Sequence, residues 1–145
     1  MQQLAIHDTE RFVSNDWSGQ LSEVLGGQFK CVGLKKYKEF CEKYLIPTEL
    51  AFLTHTADQS IWQTFTYKIL LQSRSTHAEV RVQALDCISK ALSAIGKEYA
   101  GLIGDIMPFV MEGLEDTDDM VTGVAKVLLS QLESFCGEEI KNYIN

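Results

Sequence analysis

The chain has 145 residues, 46% hydrophobic and 23% charged with two prolines, a balance expected of one globular unit with a real core and far from disordered or fibrous compositions. No apolar run approaches the roughly 18 residues a membrane helix needs, and the start at Met1 lacks the pattern of a secretory signal, so an intracellular chain, or one cut from something larger, is expected. Net charge is −7, unevenly spread: residues 98–145 hold ten acids against Lys126 and Lys141, which leaves −8 there and about +1 in residues 1–97, so the C-terminal third should repel a phosphate backbone.

Residues 1–13 show no clear period. Ser14 and Asp16 can cap a helix through Trp17, Leu21, Val24 and Leu25, which Gly26 and Gly27 end. A loop with Gly33 follows. From about Lys35, Tyr37, Phe40, Cys41, Tyr44 and Leu45 keep helical spacing, and Leu50, Phe52 and Leu53 continue it after Pro47. That proline either kinks one long helix or opens a second; the sequence does not choose. Asp58 and Ser60 can cap the next stripe, Ile61, Trp62, Phe65, Ile69 and Leu70. Thr76-His77-Ala78-Glu79 reads as a capping box launching a helix with Val80, Ala84, Ile88, Ala91, Leu92 and Ile95 on one face, and Gly96 stops it.

The last pair repeats the pattern. Leu102, Ile103, Ile106, Phe109, Val110 and Leu114 form a stripe with Pro108 inside it. Asp116 or Asp118 caps the return helix, whose stripe is Val121, Val124, Ala125, Leu128, Leu132 and Phe135, before Gly137 and a tail with Ile140, Tyr143 and Ile144. Nothing alternates as a strand, so an all-α fold is expected. Val80, Ala84, Ile88, Ala91, Ile95, Gly96 and Glu98 recur 41 residues later as Val121, Ala125, Leu129, Leu132, Cys136, Gly137 and Glu139. A period near 40 marks a helical hairpin that must stack on its neighbour to bury its apolar face.

A helix bent by Pro108, a turn carrying Asp116 and return helices opening with Val80-Arg81-x-x-Ala84 and Val121 together resemble the HEAT repeat. The implied architecture is a right-handed α-solenoid of about three hairpins in one domain, residues 1–145, with units near 14–56, 58–97 and 98–137 and a tail at 138–145. A more specific set is Asp58-x-x-x-Trp62, Tyr67-Lys68-Ile69-Leu70-Leu71-x-x-Arg74, Val80-Arg81-x-x-Ala84, Gly96-x-Glu98-Tyr99, Ile106-x-Pro108-Phe109, Leu114-Glu115-Asp116, Gln131-Leu132-Glu133, Gly137-Glu138 and Tyr143. It resembles the C-terminal end of the HEAT repeat-containing protein 1 family, which includes U3 small nucleolar RNA-associated protein 10. That resemblance implies a non-enzymatic scaffold of the nucleolar small-subunit processome, acting in pre-ribosomal RNA processing among other proteins of a ribonucleoprotein assembly. Contact with U3 RNA or pre-rRNA would be indirect, and no membrane or small-molecule substrate is implied. Members are very long, so a fragment or an abbreviated gene product is expected, with Leu4, Ile6 and Phe12 either covering part of the apolar face where a preceding repeat would stack or leaving it open to oligomerisation.

Within the HEAT pattern Arg81 and Asp116 occupy turn positions facing the adjacent repeat, which implies an inter-repeat ion pair of about 1 kcal/mol if partly exposed. Glu115, Asp116, Asp118 and Asp119 form an acidic strip that either favours a helix N-terminus or docks a basic partner. Lys30, Lys35, Lys36, Lys38 and Lys43 form the one basic cluster, with Glu39 and Glu42 interleaved, readable as a solvated face or an RNA contact. An RNA-binding module on those lysines and a generic HEAT adaptor with another protein partner are therefore the rival functions. Cys31, Cys41, Cys87 and Cys136 lack metal-ligand spacing and read as reduced, Cys41 and Cys136 as core residues. His7, His55 and His77 are each followed by something other than glutamate, unlike the paired His-Glu steps that iron-binding helical-repeat enzymes share, and no nucleophile motif or phosphate-cradling loop is present, so neither catalysis nor a cofactor is expected.

Overall fold

The computed structural model describes residues 37–56 and 58–144, which fold into helices joined by short turns, with no strand among them. The expected helix from Trp17, Cys31, and Leu4, Ile6 and Phe12 lie outside the described residues. Helix α1 (Tyr37–Phe40) runs through a π-helical turn, Cys41–Leu45, into α2 (Ile46–His55). Then come α3 (Gln59–Gln72), α4 (Ala78–Ile95), the short α5 (Lys97–Ala100), α6 (Ile103–Leu114) and α7 (Asp119–Cys136). A 3-10 turn, Gly137–Ile140, leads to α8 (Lys141–Ile144).

Pro47 explains the π turn. It has no N–H and its ring would press on the carbonyl four residues back, so a wider turn just before it lets the helical run continue. Thr48 Oγ1 donates to the Tyr44 carbonyl at 2.7 Å, one residue beyond the gap. The extra residue in that turn also shifts the stripe: Cys41 and Leu45 are buried, whereas Tyr44, in step with them on simple helical spacing, is 54% exposed.

The helix ends follow local chemistry. Asp58 accepts from the Ser60 amide at 2.9 Å and so caps α3. Asp118 accepts from the Met120 and Val121 amides to cap α7. Gly96 and Gly137 end α4 and α7 with φ of +82° and +54°, a conformation that costs glycine little. The capping box does not form. His77, not Thr76, is the N-cap of α4 and makes no side-chain cap bond. Instead the Ser75 hydroxyl accepts from the His77 amide and the Ser75 carbonyl accepts from Arg81, so the turn is shaped by the arginine that follows it.

Helix α4 is the centre of the packing, lying against α2, α3 and α7, while α7 also packs on α6 and α3 touches α6. The recurrence holds in three dimensions. Ala84 and Ala125, Ala91 and Leu132, and Val80 and Val121 are all buried, and Pro108 lies inside α6. Around them Phe52 meets Phe65 edge-on at 5.2 Å and Trp62 meets Tyr99 at 6.2 Å. The polar atoms these rings carry inward are satisfied: Trp62 Nε1 donates to the Leu53 carbonyl at 3.0 Å, and the Tyr99 hydroxyl lies 2.7 Å from Thr66 Oγ1. Cys41 and Cys87 are buried and Cys136 is half-buried, its thiol reaching the Ala100 carbonyl.

Gly113 marks the tightest approach among α6, α4 and α7. A Cβ there would stand 3.0 Å from Ala125 Cβ and 3.1 Å from Leu85 Cδ1. Substituting Gly113→Val forces the three helices apart and should cost about 1–3 kcal/mol or more, read as a lower denaturant midpoint at unchanged slope. An unaltered midpoint would show that the junction is looser than this spacing.

One buried group opposes folding. Glu49 on α2 is wholly buried, its Oε2 accepts from the Cys87 thiol at 3.1 Å, and its Oε1 has no partner among the described residues. Burial pushes the Glu49 carboxyl well above the usual carboxylate range, and the weak thiol bond only partly opposes this. Burial likewise raises the Cys87 thiol. Because the folded state holds the Glu49 proton more tightly than the unfolded state does, stability is greatest below the unfolded pKa of about 4.3 and falls as pH rises toward the raised folded value. Glu49→Leu should flatten that alkaline-side slope and raise stability by about 1–2 kcal/mol near neutral pH, measured by urea denaturation across pH. A slope unchanged by the substitution would assign it to other groups.

Candidate interaction surface

Arg81 projects from the first turns of α4 toward the turn that precedes α7. Its Nε donates to Asp116 Oδ2 at 2.8 Å and its Nη2 to Asp116 Oδ1 at 2.9 Å, while Nη1 donates to the Ser75 carbonyl at 3.0 Å. Asp116 Oδ1 also accepts from the Asp118 amide at 2.9 Å. The guanidinium fork therefore ties together two inter-helix turns, a planar match that lysine does not offer. The side chains are only 16% and 13% exposed, yet the pair lies close to the molecular surface, so geometry rather than a dry interior sustains it. The Arg81 bond, with the Asp118 amide, holds the Asp116 carboxyl below its usual range.

Further bonds cross at nearly the same sequence interval. Arg74 makes two bonds to Glu112, at 2.7 and 2.6 Å, and lies over the Phe109 ring at 4.3 Å. Gln63 donates to Asp105 at 2.9 Å between α3 and α6. Between α4 and α7, Ser89 donates to Gln131 Oε1 at 2.7 Å and Gln131 Nε2 donates to Ser93 at 3.0 Å. Their separations of 35, 38 and 42 residues bracket the 41-residue recurrence, so the bonds join matching levels of successive helix pairs.

The acidic strip is thus largely engaged in structure. Asp116 is paired, Asp118 is a helix cap, and Glu115 and Asp119 are the two whose side chains stand exposed. The basic cluster is split: Lys30, Lys35 and Lys36 lie outside the described residues, Lys38 faces Glu42 at 3.8 Å, and Lys43 lies over the Tyr44 ring at 5.2 Å. His55 Nδ1 lies 2.8 Å from the Ala51 carbonyl, and His77 occupies the start of α4.

Among the described residues no three histidine, cysteine or acidic side chains are grouped to hold a metal ion. No described helix is long and apolar enough to cross a membrane. Sequence reading missed Gly113, Glu49 and the Arg74–Glu112 pair; the 41-residue recurrence sets Arg74 level with Glu115, about one helical turn from the partner it takes, so it did not mark that pair.

The class so defined is an all-helical protein of stacked helix pairs, the arrangement of HEAT-type repeats. Over 140 residues the chain is 30% identical to HEAT repeat-containing protein 1 of Homo sapiens, a match that covers 95% of this chain and 6% of that protein. HEAT repeat-containing protein 1 of Danio rerio is 25% identical over 151 aligned positions, covering 99% of this chain and 7% of the relative. U3 small nucleolar RNA-associated protein 10 of Phaeosphaeria nodorum is 30% identical over 76 residues, 52% of this chain and 4% of its own length. No protein-family model matches the chain, and no solved structure matches it significantly. The chain belongs to the HEAT repeat-containing protein 1 family and spans a small part of the length of these relatives.

Arg81→Ala should lower stability by about 1–3 kcal/mol, and Arg81→Lys should restore little of it because one ammonium cannot replace the fork. In a double-mutant cycle with Asp116→Asn, which keeps the cap on the Asp118 amide, the coupling should be about 1–2 kcal/mol. Additive losses would mean that the two side chains act separately.

Proposed function

We propose that this chain is a non-enzymatic HEAT-repeat scaffold, part of a nucleolar small-subunit processome factor that acts in pre-rRNA processing and ribosome biogenesis. In this reading residues 1–145 form one right-handed solenoid domain with units near 14–56, 58–97 and 98–137 and a tail at 138–145. The observation that carries the scaffold is the stacking itself: α3 is bonded to α6 and α4 to α7 side by side, and the adjoining turns are tied by Arg74 to Glu112 and Arg81 to Asp116. Such a stack builds an extended surface and needs no converging catalytic cluster. The place of work, the nucleolus, rests on the similarity to a relative named as a U3 small nucleolar RNA-associated protein. Partners are other proteins of the pre-ribosomal assembly. The outward residues Glu115 and Asp119 suit a basic protein segment better than they suit RNA.

The RNA-binding alternative draws no support from Lys38 and Lys43, which face Glu42 and a tyrosine ring. Depleting the chain in its native cells and probing ribosomal RNA precursors tests the proposal directly. Early small-subunit precursors should accumulate, and tagged chain should sediment with U3-containing particles. Normal precursor levels together with a tagged chain outside the nucleolus would overturn the processome assignment and leave a generic adaptor.

A further inference from the structure

A groove of about 330 Å³ opens where the α1 end, the first turns of α4 and the start of α7 come together. Its floor is apolar, formed by Val82 and Val124 with Met120, a methionine that is 64% exposed at the edge. Its rim is acidic: Glu42, Glu79, Asp86 and Asp118 line it together with Lys38. Even after Lys38, and Lys90, which pairs with Asp86 at 2.7 Å, are set against them, the balance is −2. Glu79 is exposed on the rim.

Gln83 adds an independent signal. It lines the same groove, it is only 4% exposed, and its Oε1 accepts no hydrogen bond from the described residues. A buried amide oxygen without a donor is rare in folded proteins and marks a place where a donor is missing. An occupant that draws the Gln83 side chain toward an N–H or ammonium group would complete it.

We propose that this groove docks a short basic segment of a partner protein, with one or two aliphatic side chains on Val82, Val124 and Met120, lysine or arginine on the acidic rim, and an N–H donor to Gln83 Oε1. Charge decides among occupants. A nucleic acid would bring phosphates to an acidic rim, and a second copy of this chain would bring a net charge of −7. A flexible methionine at the edge lets the floor adapt to aliphatic side chains of different shape. The inference depends on the groove alone and stands apart from the processome assignment, since it is tested by binding and not by RNA processing.

The test is fluorescence anisotropy with the full chain and a labelled peptide in which two leucines are flanked by lysine and arginine, with an all-lysine peptide and a single-stranded RNA oligonucleotide as comparators. The leucine-bearing peptide should bind best. Glu79→Lys should weaken it about tenfold at low salt and Met120→Ala about three- to tenfold, both at exposed positions where folding is little affected. Glu133→Lys, an equal charge change on an exposed site of α7 outside the groove, should leave binding nearly unchanged. In side-chain NMR spectra the Gln83 amide should shift on titration. Equal weakening by Glu79→Lys and Glu133→Lys would reduce the effect to general attraction and overturn the proposal. Stronger binding of RNA would overturn it as well. So would no binding at all, whether because residues 1–36 or a second copy already fill the groove.

Discussion

The close contact of α4 with α7, held in step at an interval near 40 residues, is the constraint on which the rest of this structure depends. Ala84 and Ala125 are small enough for the helices to approach, and Gly113 lets α6 enter the same junction with no side chain between. Small residues in a core gain little from their own burial; their value is the closeness they allow to Leu85, Ile88, Leu128 and Leu132. Polar bonds then fix the register. Apolar stripes with similar spacing could slide by one turn at modest cost, whereas the Arg81 fork fits Asp116 in one arrangement, and Ser89, Gln131 and Ser93 form a chain with matched donors and acceptors. Apolar burial supplies the attraction between the helix pairs, and these bonds supply the alignment.

The same division appears nearer the N-terminal end of the described region, with a different outcome. Trp62 and Tyr99 bury their rings and find partners for their polar atoms in the Leu53 carbonyl and the Thr66 hydroxyl. Glu49 has only a thiol, a weak donor, and leaves one oxygen unmatched. A half-satisfied carboxyl among apolar helices is costly, and burial raises its proton affinity accordingly. The α2–α4 contact is thus made with a polar defect, while the side chains that bond across α4 and α7 are matched pairs, and the unmatched Gln83 oxygen lies in the groove beside them.

Much of this was legible because helical repeats write their geometry twice. The stripe from Val80 to Ile95 and its echo from Val121 announced both long helices, and Gly96 and Gly137 announced their ends, since positive φ there leaves glycine the natural choice. Several motif residues that carry the family resemblance, Trp62, Arg74, Arg81, Tyr99, Phe109 and Asp116, turn out to be those that bond or stack across helices. What was not legible lay where neighbours in space overrule neighbours in sequence. The capping box at Thr76 has the right spacing, but Arg81 engages the Ser75 carbonyl and His77 begins the helix. Tyr44 fits an apolar stripe only if the helix keeps its pitch, and the π turn before Pro47 breaks that pitch. Nothing local distinguishes Glu49 from an exposed glutamate, and Gly113 reads as a weak point in a helix until the helices around it are placed.

The distribution of charge gains meaning once the engaged acids are separated from the free ones. Glu112 and Asp116 are neutralised by arginines of the preceding helix pair, and Asp58 and Asp118 are committed to amides at helix starts. An acidic run in the sequence is therefore mostly internal support; its exposed side chains are Glu115 and Asp119, and Asp118, though a helix cap, adds its charge to the groove rim. Attraction for a basic partner is set instead by charges that face open space beside an apolar floor, because desolvating a few aliphatic groups provides the anchoring that screened surface charges cannot. Recognition by this segment is expected where helix pairs leave a gap between their first turns, and the charge that serves it is the part not spent on holding the pairs together.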